Sequence, residues 1–256
     1  MIDSHCHLEH MEDPQGVARQ AMGMMSGVVT SAPDPRHFGA VMNLRDKFPG
    51  FVHIAIGFHP EHLDEYASEQ IEGHIQRIRD NSSKIVSIGE VGLDYSWIKE
   101  EAKREKTKII FKKFIDLSLE LKKPLTIHAR NGSEGEDAIS ETIEILKSKQ
   151  AGNVMMHCFS GSDRNLEDCL KQGWMISFAT LIVRSRKHQR FAAQVPMDQM
   201  LLETDAPWLD PDSRELANRP WKIARSAEVI AEIKGISKQE VLDRTEKNAR
   251  RFFGIS

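Results

Sequence analysis

The chain has 256 residues, 40% of them hydrophobic and 29% charged. That suits a substantial core of the size of one (β/α)8 barrel, and asks for no second domain. A formal charge of −3 excludes a chain that draws in nucleic acid by bulk charge, so an anion must be met by a local patch or by bound cations.

No apolar run of about 18 residues occurs, so no membrane-spanning helix is expected. The N-terminus does not read as a signal peptide. The three cysteines, Cys6, Cys158 and Cys169, are odd in number and fit no zinc ribbon or disulfide framework. A reducing, cytoplasmic setting is the simplest expectation.

Eight short apolar runs follow one another: Met1 to His7, Gly27 to Ala32, Phe51 to Phe58, Ile85 to Val91, Pro124 to His128, Val154 to Phe159, Trp174 to Ala179 and Met200 to Thr204. Each is short, often rich in Val and Ile, and bounded by polar or turn residues, as strands buried on both faces are. Longer stretches with helical spacing separate them. After Lys99, the residues Ile110, Phe114, Leu117 and Leu121 form one apolar helix face. "SKQE" (Ser237 to Glu240) reads as a capping box opening a last helix that Gly254 can end after about Phe253. Strands alternating with helices imply a parallel sheet, and eight strands in this length imply closure into a (β/α)8 TIM barrel with an extra C-terminal helix. The rival, an open doubly wound sheet, is weakened because no Gly-rich phosphate loop follows an early strand. With no internal repeat or linker, residues 1–256 are expected to form one domain.

The strand ends carry the chemistry. The first run holds His5 and His7, the third ends on His59, the fourth on Glu90, the fifth on His128 and Arg130, the sixth on His157 and the eighth on Asp205. In such barrels the C-terminal ends of the strands build the active site. Strand alternation puts His5 and His7 on one face, expected to be the barrel axis with Asp3. It leaves Ile2, Ser4, Cys6 and Leu8 toward the helices. A lone histidine on a strand is usually a packed core residue; the force of the pattern lies in the set.

Four imidazoles and two carboxylates exceed the needs of one tetrahedral ion and suit two divalent cations, Zn²⁺, Mn²⁺ or Mg²⁺, sharing a carboxylate. The expected assignment is His5, His7 and Asp205 to one, His128 and His157 to the other, and Glu90 as the bridge. Two such cations, less two carboxylates and a hydroxide, leave a positive centre that favours an anionic substrate such as a phosphodiester. His10, His37, His53, His62, His74 and His188 are expected to be structural or solvated. "RSRKHQR" (Arg184 to Arg190) reads as a solvated helix face, with a phosphate-backbone contact as the alternative. Trp208 is a candidate for stacking on a base, or else a packed loop aromatic.

The blocks "IDSHCHL", "GFHP", "IGEVGLDY", "IHAR", "HCFSGS" and "LLETDAPWL" together resemble the TatD family of metal-dependent deoxyribonucleases, among the amidohydrolase-like barrels. The likeness is collinear from Ile2 to about Leu209. It implies a dinuclear metal centre with the same six ligands and a 3′-5′ exonuclease acting on DNA. It also implies phosphate contacts from His59 and Arg130. In that scheme Asp205 takes the proton of the attacking water, which makes Asp205, Glu90 and His59 the catalytic set. Some family features are altered: Thr107 stands where relatives often carry Gln, Asn131 where they carry Asp, "APWL" replaces "APYL", and "ANRP" (Ala217 to Pro220) replaces "RNxP". These departures bear on substrate identity and leave the ligand set whole. Competing expectations are hydrolysis of another ester or amide, aminoacyl-tRNA included, and a non-catalytic metal-holding scaffold. The candidate bridge is Glu90, and no lysine ends an assigned strand, which favours the nuclease branch. No obligate protein partner is evident.

Overall fold

The computed structural model describes residues 1–213 and 215–256 and, within them, every side chain except that of Leu63. Eight parallel strands run in sequence order around one sheet: β1 (Ile2–Cys6), β2 (Gly27–Ala32), β3 (Val52–Phe58), β4 (Ser87–Asp94), β5 (Leu125–Arg130), β6 (Val154–Met156), β7 (Met175–Phe178) and β8 (Met200–Leu202). The sheet closes on itself just beyond β8, where Asp205 N–H donates to His5 O at 3.0 Å and His7 N–H to Ala206 O at 2.7 Å. This is the (β/α)8 barrel expected from the pattern.

Helices α1 (Pro14–Met22), α2 (Phe38–Lys47), α3 (Ser68–Asp80), α4 (Glu101–Leu121), α5 (Ala138–Ser148), α6 (Asp163–Lys171), α7 (Arg186–Gln194) and α8 (Ile223–Lys234) each follow one strand, and α9 (Lys238–Phe253) is added. None of the described helices is long and apolar enough to cross a membrane.

The periodicity of α4 holds: Ile110, Phe114 and Leu117 are buried, joined by Phe111 and Ile115, while Leu121 is half-buried at the helix end. Only half of the expected capping box forms on α9. Ser237 Oγ accepts from Glu240 N–H at 3.1 Å, but the Glu240 carboxylate turns to Arg244 one helical turn on. Gly254, at φ +64°, ends the helix in the left-handed conformation that glycine takes without a Cβ penalty.

The core has two parts. Outward-facing strand residues such as Ile54, Ile56, Ile88 and Ile127 pack under the helices. Inside the barrel, Ile2, Val29, Ala55, Met155, Met175 and Leu201 form a separate apolar layer, plugged by Phe252 and Phe253 of α9. Above that plug the interior turns polar and small. Ser4 Oγ lies 3.1 Å from Ser177 Oγ and donates to Leu202 O, and Ser87 Oγ lies 2.9 Å from Thr126 Oγ1. Paired hydroxyls can be buried at little net cost, and their small volume leaves the top of the barrel free for larger polar groups.

Simple alternation fails in β1. Ile2 and Ser4 look into the barrel, not toward the helices. Between Asp3 and Cys6 the register slips against Val28 and Thr30 of β2, so three steps on β1 oppose two on its neighbour. This bulge resets the parity. It leaves Cys6 packed outward, its Sγ toward Val29 O, and brings His5 and His7 inward above Ser4.

Candidate active site

A second bulge shapes β4. Gly89 pairs with Thr126 and Val91 with Ile127, so Glu90 is the extra residue. Neighbouring glycines admit the distorted backbone: a Cβ on Gly57 would stand 2.4 Å from Glu90 O, and one on Gly89 would stand 2.5 Å from Thr126 O. The sixth and eighth strands are shorter than their apolar runs, ending at Met156 and Leu202. Beyond them His157 and Asp205 sit in turns. Asp205 is at φ +56°, a left-handed position that Asp tolerates better than most residues.

These local departures bring six of the predicted side chains together at the C-terminal mouth of the barrel. His5 Nε2 and His7 Nε2 face each other at 3.0 Å. Glu90 Oε2 lies 3.5 Å from His5 Nε2 and 3.7 Å from His7 Nε2. Its other oxygen, Oε1, lies 2.8 Å from His128 Nδ1 and 3.7 Å from His157 Nε2. Asp205 Oδ1 stands 3.6 Å from His5 Nε2, 3.5 Å from His7 Nε2 and 3.9 Å from His157 Nε2.

The donor set fits divalent metal. Around a tetrahedral ion with bonds of about 2.0–2.1 Å, ligand atoms sit roughly 3.3 Å apart, and these nitrogens and oxygens are spaced on that scale. Several triads within the set, including His5–His7–Glu90, Glu90–His128–His157 and His5–His157–Asp205, have all ligand atoms within 4.8 Å of one another.

Three carboxylates that the sequence reading did not single out stand behind the imidazoles. His7 Nδ1 pairs with Glu9 Oε1 at 3.0 Å, His128 Nε2 with Asp94 Oδ2 at 2.8 Å, and His157 Nδ1 lies 2.9 Å from Glu203 Oε1. Glu9 and Asp94 pair with the outer ring nitrogens of His7 and His128, as carboxylates behind metal-bound histidines do, while Glu203 stands beside His157 as a close charge partner. The only signal in the sequence was their nearness to the predicted ligands: Glu9 two residues after His7, and Glu203 two before Asp205. Asp94 also organises its loop, with Oδ1 accepting from Ser96 N–H at 2.7 Å and Trp97 N–H at 3.0 Å.

The electrostatics are those of interlocked acids and bases. Burial pushes the Glu90 carboxyl up, but His157, His128 and His5 overcome it and hold Glu90 well below the usual range. Burial would lower His128, yet Asp94 and Glu90 raise it to about 10. His157 is likewise raised to about 9 by Glu203 and Glu90 against burial. His5 is pushed well down by burial and by His157. His59 is pushed down to about 3 by burial and the neighbouring His128.

The remaining candidates lie around this cluster. His59 Nε2 is 3.9 Å from Glu90 Oε1, its ring 4.3 Å from that of His128, and its Nδ1 accepts from Glu61 N–H. Arg130 is exposed on the cleft wall and forms no ion pair among the described residues. Trp208 meets His7 and His10 edge-on at 5.1 and 5.2 Å. Buried Asn218, from the "ANRP" block, fixes this turn by donating to Thr204 O at 2.9 Å and Trp208 O at 2.7 Å.

His10 and His62, expected to be structural or solvated, line the same cleft. His74, in contrast, is a core residue whose Nε2 pairs with Gly57 O. The "RSRKHQR" run is tied down rather than free: His188 is buried, Arg184 donates to Asp210 O, Lys187 to Ser160 O, and Arg190 pairs with Asp163.

Comparison with known proteins places the whole chain. Residues 2–254 match the sequence profile described as TatD related DNase. Human "Deoxyribonuclease TATDN3" is 30% identical over 99% of this chain and 94% of its own. The "Uncharacterized metal-dependent hydrolase YabD" of Bacillus subtilis is 31% identical over the full length of both. Among solved structures, the Escherichia coli TatD homologue YJJV superposes with a TM-score of 0.88 at 24% identity, covering 100% of this chain and 98% of that one, which shows the shared fold.

Proposed function

The chain belongs to the TatD-related DNase family and is a hydrolase, and from that premise we propose that it cleaves DNA phosphodiesters, as a 3′-5′ exonuclease, at a centre of two divalent cations. The observation that carries this reading is the division of Glu90, one oxygen toward the His5–His7 pair and the other toward His128 and His157. A carboxylate so placed between two imidazole pairs would bridge two cations held there. On this reading His5, His7 and Asp205 hold one cation and His128 and His157 the other. The mixed N/O set accommodates Zn²⁺ or Mn²⁺, with Mg²⁺ to be tested beside them.

When bound, such cations supply Lewis acidity and lower the pKa of water. The chain's own groups do the rest. Asp205 Oδ1, beside three imidazoles, is placed to accept the proton of the attacking water. Arg130, without an ion-pair partner among the described residues, meets the phosphate. His59 is kept neutral by burial, so it acts through an Nε2–H hydrogen bond and not as a cation; its Nδ1 is already an acceptor. Fixed donors aimed at developing charge stabilise the transition state more than the ground state. Glu9, Asp94 and Glu203 hold the rings that face the cations.

The test is reconstitution. Protein stripped with chelator is given Mg²⁺, Mn²⁺ or Zn²⁺ separately and assayed on end-labelled single-stranded DNA, with tRNA esters and small esters alongside. At least one metal should restore release of mononucleotides. Glu90→Gln should lower that activity by several orders of magnitude with an unchanged circular dichroism spectrum. Near-wild-type turnover by that variant would overturn the bridging role, and turnover of esters alone would overturn DNA as substrate.

A further inference from the structure

We infer that Trp97 is a stacking platform for an unpaired nucleobase, set across the cleft from Trp208, so that the metal cluster lies between two indoles. This deepens the phosphodiesterase reading above and rests on it for the class of substrate. Trp97 follows β4, and Trp208 follows β8 and packs on residues just after β1. β4 and β8 stand on opposite sides of an eight-stranded barrel. Both indoles line the one cleft that also holds His7, Glu90, His157 and Asp205.

The local sequence forces Trp97 outward and fixes it there. Tyr95 and Ile98 are buried, at 4% and 6% exposure, while Trp97 is 61% exposed. Asp94 Oδ1 accepts from Ser96 N–H, Ser96 Oγ and Trp97 N–H, and Ile98 N–H donates to Asp94 O. Arg104 closes the turn by donating to Ile98 O at 2.9 Å. The indole therefore projects from a rigid base, and the carboxylate that builds the base also orients His128.

A single exposed apolar residue is ordinary on a protein surface. One carried by a braced backbone turn in the wall of a cleft, with Arg130 lining the same cleft, is suited to a ligand with both an aromatic face and an anionic backbone. Base–aromatic stacking is indifferent to sequence and requires an unpaired base. The inferred substrate is thus a single-stranded or frayed end, whose phosphate meets Arg130 and the cluster while its base lies on Trp97.

The experiment compares Trp97→Ala, Trp97→Phe and wild type in two assays. In the first, a fluorescein-labelled oligothymidylate is titrated with chelator-treated protein and its anisotropy followed. In the second, metal-loaded protein is assayed on the oligonucleotide and on an oligomer of the same length whose 3′-terminal residues are abasic, a diester with no aromatic face. Trp97→Ala should weaken oligonucleotide binding and raise KM by about five- to hundredfold, leave kcat within about threefold, and leave the abasic oligomer unaffected. Trp97→Phe should restore most of the loss. Equal oligonucleotide affinity for Trp97→Ala and wild type overturns the platform, whatever the hydrolysis assay gives. Trp97-dependent binding without hydrolysis of any phosphodiester supports the platform and overturns the proposed function instead.

Discussion

At the scale of single residues, the centre depends on groups that touch no substrate. Asp94 couples the ring of His128 to the turn carrying Trp97. Replacing it with Asn keeps the shape and removes the charge, so metal affinity measured by calorimetry should fall about 10–100-fold. Asn218 is fully buried and satisfies two carbonyls of the Asp205 turn. Asn218→Ala should cost about 2–3 kcal/mol in urea unfolding, because buried acceptors lose their donor, and should reduce turnover by loosening Asp205. Residues of this kind were hard to read beforehand. His5, His7, Glu90, His128, His157 and Asp205 stood out because they share one position in a repeated pattern, the end of a strand. Asp94 does end β4 and Glu203 does follow β8, but both lie next to a stronger candidate in sequence, and a carboxylate near a histidine or another acid is commonplace.

At the scale of elements, the pattern of apolar runs located every strand, because a strand buried on both faces cannot hide in polar sequence. The same pattern misjudged which face Ile2 and Ser4 occupy. A bulge adds a residue without changing composition, so its effect on parity appears only when the partner strand is seen. The two bulges, in β1 and β4, are what aim His5 and Glu90 into the mouth of the barrel. Gly57→Ala tests this: its Cβ would stand 2.4 Å from Glu90 O and 2.6 Å from Gly89 C. Backbone atoms cannot rotate away, so the variant should lose about 1–3 kcal/mol of stability and bind metal more weakly. At the other end of the barrel Phe252 plugs the apolar layer around Met155 and Leu201. Phe252→Ala should cost about 3–5 kcal/mol while activity per folded molecule, measured below the shifted melting point, stays near wild type.

For the molecule as a whole, the buried charges make metal and protons rivals. His128 is raised to about 10 and His157 to about 9, so both carry protons at neutral pH when Asp94, Glu90 and Glu203 are their only partners. Metal uptake at pH 7 should release up to two protons, read as a dependence of calorimetric enthalpy on buffer ionisation heat. The stability linkage has a definite sign. A histidine whose folded pKa exceeds its unfolded value of about 6.5 stabilises the fold below that value and loses its effect as pH rises through the folded pKa. Chelator-treated protein should therefore melt at progressively lower temperature from about pH 7 to 10, and metal should remove most of that slope. The seam that shuts the barrel has a temporal meaning too. Asp3 and Thr204 meet there across 201 positions of chain, next to the hydrogen bond that binds Asp205 to His5. A ribosome extruding this polypeptide delivers His5 and His7 well before Asp205. Until that last strand emerges the nascent protein lacks Asp205, one of the six groups gathered at the barrel mouth.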